Sequence, residues 1–212
     1  MIYKVKKIFG PTIQGEGSKA GTVVSFVRLS GCNRWSGLEK DKSNSICHFC
    51  DTDFYGGSKM DENKIVRVLD SIGVKHVVIS GGEPTIWNLE PLFALLNIKK
   101  YFIHLETNGS NDLELLEYFS IYHLTISPKQ IQAETKLKSC DDLKILYPFL
   151  FKDEHYRKIR ARNRFLQPIE VGGTSSKQTS QNTFNAIKLM AEDNQYHDYR
   201  LSLQTHKFIG AE

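Results

Sequence analysis

At 212 residues the chain is long enough to bury a full hydrophobic core as a single domain spanning 1–212. With 40% hydrophobic and 25% charged residues it has a soluble globular profile, and no apolar run approaches the roughly 20 residues of a membrane helix, so a membrane partner is not expected. The formal net charge of +4 comes from scattered lysines and arginines; it suits a small anionic substrate and gives no sign of direct nucleic-acid binding.

Tyr3 to Phe9 alternates apolar and basic residues and predicts a strand. Gly10 to Gly17 follows, with three glycines around Gln14 and Glu16. It is either a plain turn or a loop whose backbone approaches a ligand closely. Gly21 to Ser30 is β-branched and aromatic, a second strand, with Val24, Phe26 and Arg28 on one face. An arginine on such a strand needs a partner. A protein carboxylate and a substrate carboxylate are both suitable.

Ser58-Lys59-Met60-Asp61 reads as a capping box opening a helix with Ile65, Val66, Val68, Leu69 and Ile72 on its apolar side and Gly73 at its end. Val74 to Ser80 is a continuous apolar strand of the buried parallel kind, running into Gly81-Gly82-Glu83-Pro84. Further on the pattern predicts a helix over Leu89–Leu96, a strand over Tyr101–Glu106, a helix over Leu113–Phe119 and a strand over His123–Ile126. Leu143–Phe151 is assigned to a helix, Asp153–Arg162 to an exposed charged segment, and Arg164–Gln167 to a strand. Gly172–Thr179 reads as a loop, Ser180 caps a helix through Met190, and Tyr199–Leu203 is the last strand. Alternating strands and helices predict an α/β fold with a mainly parallel sheet. About six core strands are too few for a closed eight-stranded barrel, so an open or partial barrel is expected. The cysteine-bearing loop, Gly81–Glu83, Thr107-Asn108, Ser127–Lys129, Gln167 and His206 all follow the carboxyl ends of predicted strands, the edge where parallel α/β folds bind ligands.

Three of the four cysteines, Cys32, Cys47 and Cys50, lie in one stretch. The chain shows no signal peptide and no disulfide-dense pattern, which predicts a reduced, cytoplasmic protein in which a C-x-x-C pair binds metal or does redox work. Four ligands are usual for both structural zinc and a cubane cluster. Three thiolates therefore either recruit His48 into a Cys3His zinc site or leave one position open for chemistry. Cys140, alone, reads as a plain buried thiol.

Three cysteines followed by a Gly-Gly-Glu-Pro turn resemble the radical S-adenosylmethionine (SAM) superfamily. Thr12-Ile13-Gln14-Gly15-Glu16-Gly17, Phe26 to Asn33, Cys50-Asp51-Thr52, Gly81-Gly82-Glu83-Pro84, Glu106-Thr107-Asn108-Gly109, Ser127-Pro128-Lys129, Phe165-Leu166-Gln167-Pro168 and Leu203-Gln204-Thr205-His206-Lys207 occur in the order that resembles the 7-carboxy-7-deazaguanine synthase family. The resemblance implies an incomplete, modified (β/α) barrel, usually a homodimer, and an enzyme that turns 6-carboxy-5,6,7,8-tetrahydropterin into 7-carboxy-7-deazaguanine and ammonia. It implies hydrogen abstraction at C6 by a radical made from SAM, with SAM regenerated, and a flavodoxin- or ferredoxin-type reductant. It implies a [4Fe-4S] cluster on Cys32, Cys47 and Cys50, and Mg2+ on Thr52. Substrate contacts fall on Gln14, Gly15, Glu16, Arg28, Ser80, His206 and the C-terminal Glu212. SAM contacts fall on Phe49, Cys50, Asp51, Gly82, Ser127, Pro128, Lys129 and Gln167. The chain departs from the superfamily's C-x3-C-x2-C pattern by C-x14-C-x2-C, a spacing some members of the synthase family share. The rival readings are another radical SAM enzyme, such as an activase of a partner protein, and a zinc-stabilised binding module without catalysis.

Overall fold

The computed structural model describes residues 1–113, 119–129, 135–148 and 156–211. Nine strands form one sheet: β1 (Ile2–Ile13), β2 (Val23–Leu29), β3 (Ser58–Asp61), β4 (His76–Gly81), β5 (Phe102–Thr107), β6 (Ile121–Ile126), β7 (Ser139–Tyr147), β8 (Arg160–Pro168) and β9 (Tyr199–Leu201). The helices among the described residues are α1 (Glu39–Lys42), α2 (Glu62–Ile72), α3 (Glu90–Ile98), α4 (Lys177–Glu192) and α5 (Thr205–Phe208). The sheet order is β3-β1-β2-β4-β5-β6-β7-β8-β9. β1 runs antiparallel to β2 and to β3, and every pairing from β2 to β9 is parallel. No described helix is long and apolar enough to cross a membrane.

The two-residue period of the strands separates two environments. Val77 and Ile79 of β4 and Ile103 and Leu105 of β5 enter one core cluster with Ile65 and Leu69 of α2 and Leu92, Phe93 and Leu96 of α3. Leu143 and Ile145 of β7 join a second cluster with Leu166 of β8 and Ala186 of α4. The alternate residues face the other side of the sheet, and among them Ser80, Glu106 and Lys144 line a cavity. The sheet is not closed by strand pairing, since β9 bonds only to β8. Loop contacts span the gap: Gly15 O accepts from Thr205 N at 2.9 Å, and Gly17 N donates to Ser202 Oγ at 3.0 Å.

The α/β, mainly parallel, open-barrel expectation matches this fold, with nine strands in place of six. Gly10–Ile13, expected as loop, continues β1. Ser58–Asp61 is a strand paired with Ile2–Val5, and Asp61 alone caps α2 by accepting from Lys64 N at 2.7 Å. Gly73 ends α2 at φ 82°, as the pattern predicts. The helix expected from Leu143 is contradicted over 143–147, which pair with β8 residue by residue as β7. Asp153–Arg162 is not simply exposed: Tyr156 and Ile159 are buried in the second core, and Arg160 opens β8. The last long helix starts earlier than expected, because the Ser176 hydroxyl, not Ser180, accepts from Thr179 N at 3.1 Å. Most of the Leu113–Phe119 helix, residues 149–151 and Glu212 lie outside the described residues.

Candidate active site

A cavity of about 330 Å3 lies at the carboxyl ends of the parallel strands. The loops that follow β2, β4, β5, β6, β8 and β9 all contribute to its wall, which is the convergence expected of the scattered sequence motifs. Cys32, Cys47, Phe49, Cys50, Asp51 and Thr52 form one group in the lining. Gln14, Glu16, Arg28, Ser80 and His206 form a second group in the lining, and Gly82, Ser127, Lys129 and Gln167 complete it. Gly15 and Pro128 stand behind this lining rather than in it. Gly15 is nonetheless required where it stands. A Cβ there would fall 1.9 Å from His206 Nδ1, so only glycine lets that ring pack onto the loop.

On the cysteine side, Cys50 N donates to Cys47 O at 2.9 Å, the tight turn that brings the C-x-x-C sulfurs to one wall. All three thiols are free, and Cys47 is 5% exposed. Burial raises the Cys32 thiol and pushes Cys47 up to about 11, the neighbouring thiols adding to the shift and Lys129 opposing it. Such thiols resist ionising until a cationic partner arrives, and a metal centre is one. Gly82 presses against this loop: a Cβ would lie 2.7 Å from Cys32 Cβ and 2.3 Å from Gly31 O. Among the described residues no three His, Cys, Asp or Glu side chains surround a single-ion centre. The three thiols nonetheless line the same cavity. His48 is exposed, lies edge-on to Phe49 at 5.5 Å, and does not line the cavity. The inserted 34–46 loop is ordered around Trp35, whose Nε1 donates to Leu38 O at 3.2 Å and whose ring meets Phe54 edge-on.

Glu83 ties the strand ends around the cavity together. Its carboxylate is 1% exposed and accepts from Thr85 N, Thr85 Oγ1, Thr107 Oγ1 and Asn108 N, at 2.6 to 3.0 Å. It therefore ties the turn after β4 to the end of β5, and Ser127 N, donating to Thr107 O at 2.8 Å, carries the tie to β6. Lys129 donates to Ser127 Oγ at 2.8 Å, and no carboxylate lies within 4 Å of it among the described residues. Burial, then the charge of Lys144, lowers its pKa. On the outer lip Lys207 pairs with Asp51 at 2.5 Å and Glu170 at 3.2 Å, tying the cysteine loop to α5.

The second group of lining residues belongs to a network of paired charges. Lys144 of β7, 7% exposed, forms ion pairs with Glu16 and, at 3.4 Å, with Glu106 of β5. Gln14 Nε2 donates to Glu106 Oε1 at 3.1 Å, and Gln204 Nε2 to Glu16 Oε1 at 2.8 Å. Burial works to raise the Glu16 carboxyl, but the Lys144 charge and these hydrogen bonds outweigh it and hold it at about 2. Burial likewise works to lower Lys144, yet Glu106 and Glu16 keep it well above its usual value. His206 is pushed down by burial, partly offset by Glu16. Arg28 is the exception in this group. Its guanidinium lies 5.4 Å from the Phe9 ring centre, its Nε is buried with no hydrogen-bond partner, and no described carboxylate stands within salt-bridge distance. Of the two partners the sequence leaves open for Arg28, a protein carboxylate is not the one found.

Glu106 and Lys144 are cavity residues that the sequence reading misses in this role. Their signal is a period of two in which charge replaces apolar residues: Glu106 stands next to Leu105, and Asp142 and Lys144 flank Leu143. Cys140, half-buried on β7 and raised to about 12 by burial, does not line the cavity and stays a plain thiol.

The profile of the radical SAM superfamily matches residues 42–169, a span that holds Cys47 and Cys50 and starts after Cys32. Proteins named 7-carboxy-7-deazaguanine synthase from Burkholderia multivorans and Bordetella pertussis are 35% and 33% identical to this chain, over 99% of it and 99% of each of them. The protein of that name from Bacteroides thetaiotaomicron is 31% identical over 99% of this chain and 98% of its own. The crystal structure of QueE from Escherichia coli superposes with a TM-score of 0.62 at 22% identity, covering 97% of this chain and 95% of that one, a likeness of fold.

Proposed function

The chain belongs to the radical SAM superfamily and, within it, to the 7-carboxy-7-deazaguanine synthases, enzymes of 7-deazaguanine synthesis, and from that premise we propose that it converts 6-carboxy-5,6,7,8-tetrahydropterin into 7-carboxy-7-deazaguanine with loss of ammonia. One observation carries the substrate assignment. Arg28 stands in the same cavity as the three cysteines with a buried Nε that has no hydrogen-bond partner and no described carboxylate within salt-bridge distance, the charge of Asp53 acting on it only at longer range. A guanidinium with a buried, unsatisfied Nε favours an anionic acceptor, and a planar carboxylate on the substrate matches its fork.

The residues fit the cofactors of the superfamily. Cys32, Cys47 and Cys50 would hold a [4Fe-4S] cluster, three free thiols lining one cavity being the donor set such a centre takes. When bound, the cluster and SAM supply one-electron hydrogen abstraction. Phe49, Asp51, Gly82, Ser127, Lys129 and Gln167 would receive SAM, with Gly82 keeping the turn close to the cysteine loop. Thr52 offers a hydroxyl oxygen of the hard kind that Mg2+ prefers. In the second group Arg28 would anchor the substrate carboxylate, while Gln14, Glu16, Ser80 and His206 set the ring's orientation and keep water out. Holding the reacting carbon in one place is the protein's main contribution to rate. A flavodoxin- or ferredoxin-type reductant, a homodimer and a cytoplasmic setting complete this reading; four unpaired cysteines agree with the last.

The test is an anaerobic incubation of reconstituted protein with 6-carboxytetrahydropterin, SAM, Mg2+ and a strong reductant, followed by mass spectrometry. The expected outcome is a product of the mass of 7-carboxy-7-deazaguanine with no net loss of SAM. SAM cleaved beside an intact pterin would overturn the substrate assignment and favour an activase. A colourless protein carrying one zinc per chain would overturn the cluster itself.

A further inference from the structure

The Lys144 network answers a question that the cofactor residues do not: what keeps two carboxylates side by side inside a small cavity. Glu16 comes from the loop after β1 and Glu106 from β5, and their side chains are 17% and 20% exposed. Both line the cavity, and Lys144 Nζ is the cation paired with each. Two anions this close to one another do not both persist without a counter-charge; one takes up a proton instead. Gln14 and Gln204 hold the outer oxygens, so each carboxylate is fixed at one end by an amide and at the other by the lysine.

We infer that Lys144 is a positioning residue for the substrate ring: by bridging Glu16 and Glu106 it presents the pair as acceptors to the N–H donor edge of an amino-oxo-pyrimidine. This rests on the pterin assignment above and adds the groups that would read the ring rather than its carboxylate. An amino-oxo-pyrimidine carries an exocyclic amine beside a ring N–H, and two ionised carboxylates accept from both. A protonated carboxyl would turn a donor toward those donors and reject the ring. Lys144 thus sets the hydrogen-bond polarity of that wall without needing to touch the reacting carbon. The other titratable groups facing the network are His206 from α5 and Lys129 from the loop after β6.

The experiment measures the Kd of 6-carboxytetrahydropterin and of SAM by calorimetry on cluster-loaded protein between pH 7 and 9, for the wild type, Lys144→Met, Lys144→Arg and Glu106→Gln. Lys144→Met should weaken pterin binding roughly tenfold or more at pH 7. Its ratio to wild type should shrink as pH rises and the shared proton leaves, with SAM affinity unchanged. Lys144→Arg should restore pterin binding to within about threefold, since the charge returns. Glu106→Gln leaves the Lys144–Glu16 pair intact and should weaken binding by a factor that does not vary with pH. Should Lys144→Met fail to fold, the other two variants decide the matter. Unchanged pterin affinity in Glu106→Gln, a Lys144→Met deficit equal at every pH, or an equal loss of SAM binding would each overturn the inference while the pterin assignment stands. A wild-type protein that binds SAM but no pterin would bring down the substrate assignment and this inference with it.

Discussion

The two walls of the cavity solve opposite problems. On the carboxylate–lysine wall the charges are already matched: Lys144, Glu16, Glu106, Gln14 and Gln204 satisfy one another, and the Glu16 carboxyl is held at about 2. On the cysteine wall Asp51 is paired with Lys207, but the thiols are not matched by any cation pair. Cys32 and Cys47 are pushed toward the neutral thiol, and the neighbouring Lys129 donates to the Ser127 hydroxyl with no carboxylate within 4 Å among the described residues. A wall that balances itself can be preorganised by folding alone. A wall that does not is completed only when its cofactors bind, and it draws affinity from the partners it lacks. Arg28 belongs by position to the first wall and by chemistry to the second, since its partner too must be brought in.

Removing one sulfur from the unmatched wall should give the largest effect. Cys50→Ala is expected to leave a protein without the brown cluster absorbance and without turnover. Iron and sulfide analysis checks it, and normal turnover in this variant would refute the ligand assignment. Arg28→Ala comes next. It should raise the Kd for the pterin by about 10- to 100-fold, the range of a charge-assisted hydrogen-bond pair, while the cluster spectrum and SAM affinity stay as in wild type. Unchanged pterin affinity would remove Arg28 from the carboxylate role. Glu83→Gln tests the bracket between the walls through stability rather than binding. All four partners of Glu83 are donors, so an amide nitrogen must face one of them. The expected cost is roughly 1–3 kcal/mol, read from denaturant melts. A melt identical to wild type would mean that the turn after β4 relaxes freely.

The same contrast explains what was legible in the sequence. The cysteine wall and its rim are built from short motifs at strand ends, where glycines, prolines and chemically distinctive residues cluster, and these could be read directly. The Lys144 wall sits in mid-strand. In β7, Asp142 and Lys144 alternate with Leu143 and Ile145, and charge at every second position suggests a solvent-facing surface. Here it faces the cavity side, because this sheet buries its apolar face under the helices and its polar face around a ligand cavity. Leu143, Ile145, Leu146 and Tyr147 make an apolar run dense enough to resemble a helix, although Pro148 interrupts Leu143–Phe151. β3 was hidden for a different reason: its four residues form a strand only because Ile2–Val5 lies beside them, a pairing that no local pattern encodes.

The smallest effect should come from the matched wall in acid, and its sign follows from Glu16. The folded carboxyl lies at about 2 against an ordinary value of 4.5. A depressed carboxyl contributes stability fully above its unfolded value, and the contribution is lost as pH falls from about 4.5 toward 2. Glu16→Gln removes that proton linkage while keeping an acceptor oxygen for Gln204. Between pH 4.5 and 3 the cluster-free wild type should therefore lose stability more steeply than Glu16→Gln. The difference in slope is bounded by one proton, about 1.4 kcal/mol per pH unit. Parallel slopes in thermal melts across that window would mean that Glu16 is not held ionised by Lys144, and the contrast between a self-balanced wall and a cofactor-dependent one would lose its firmest support.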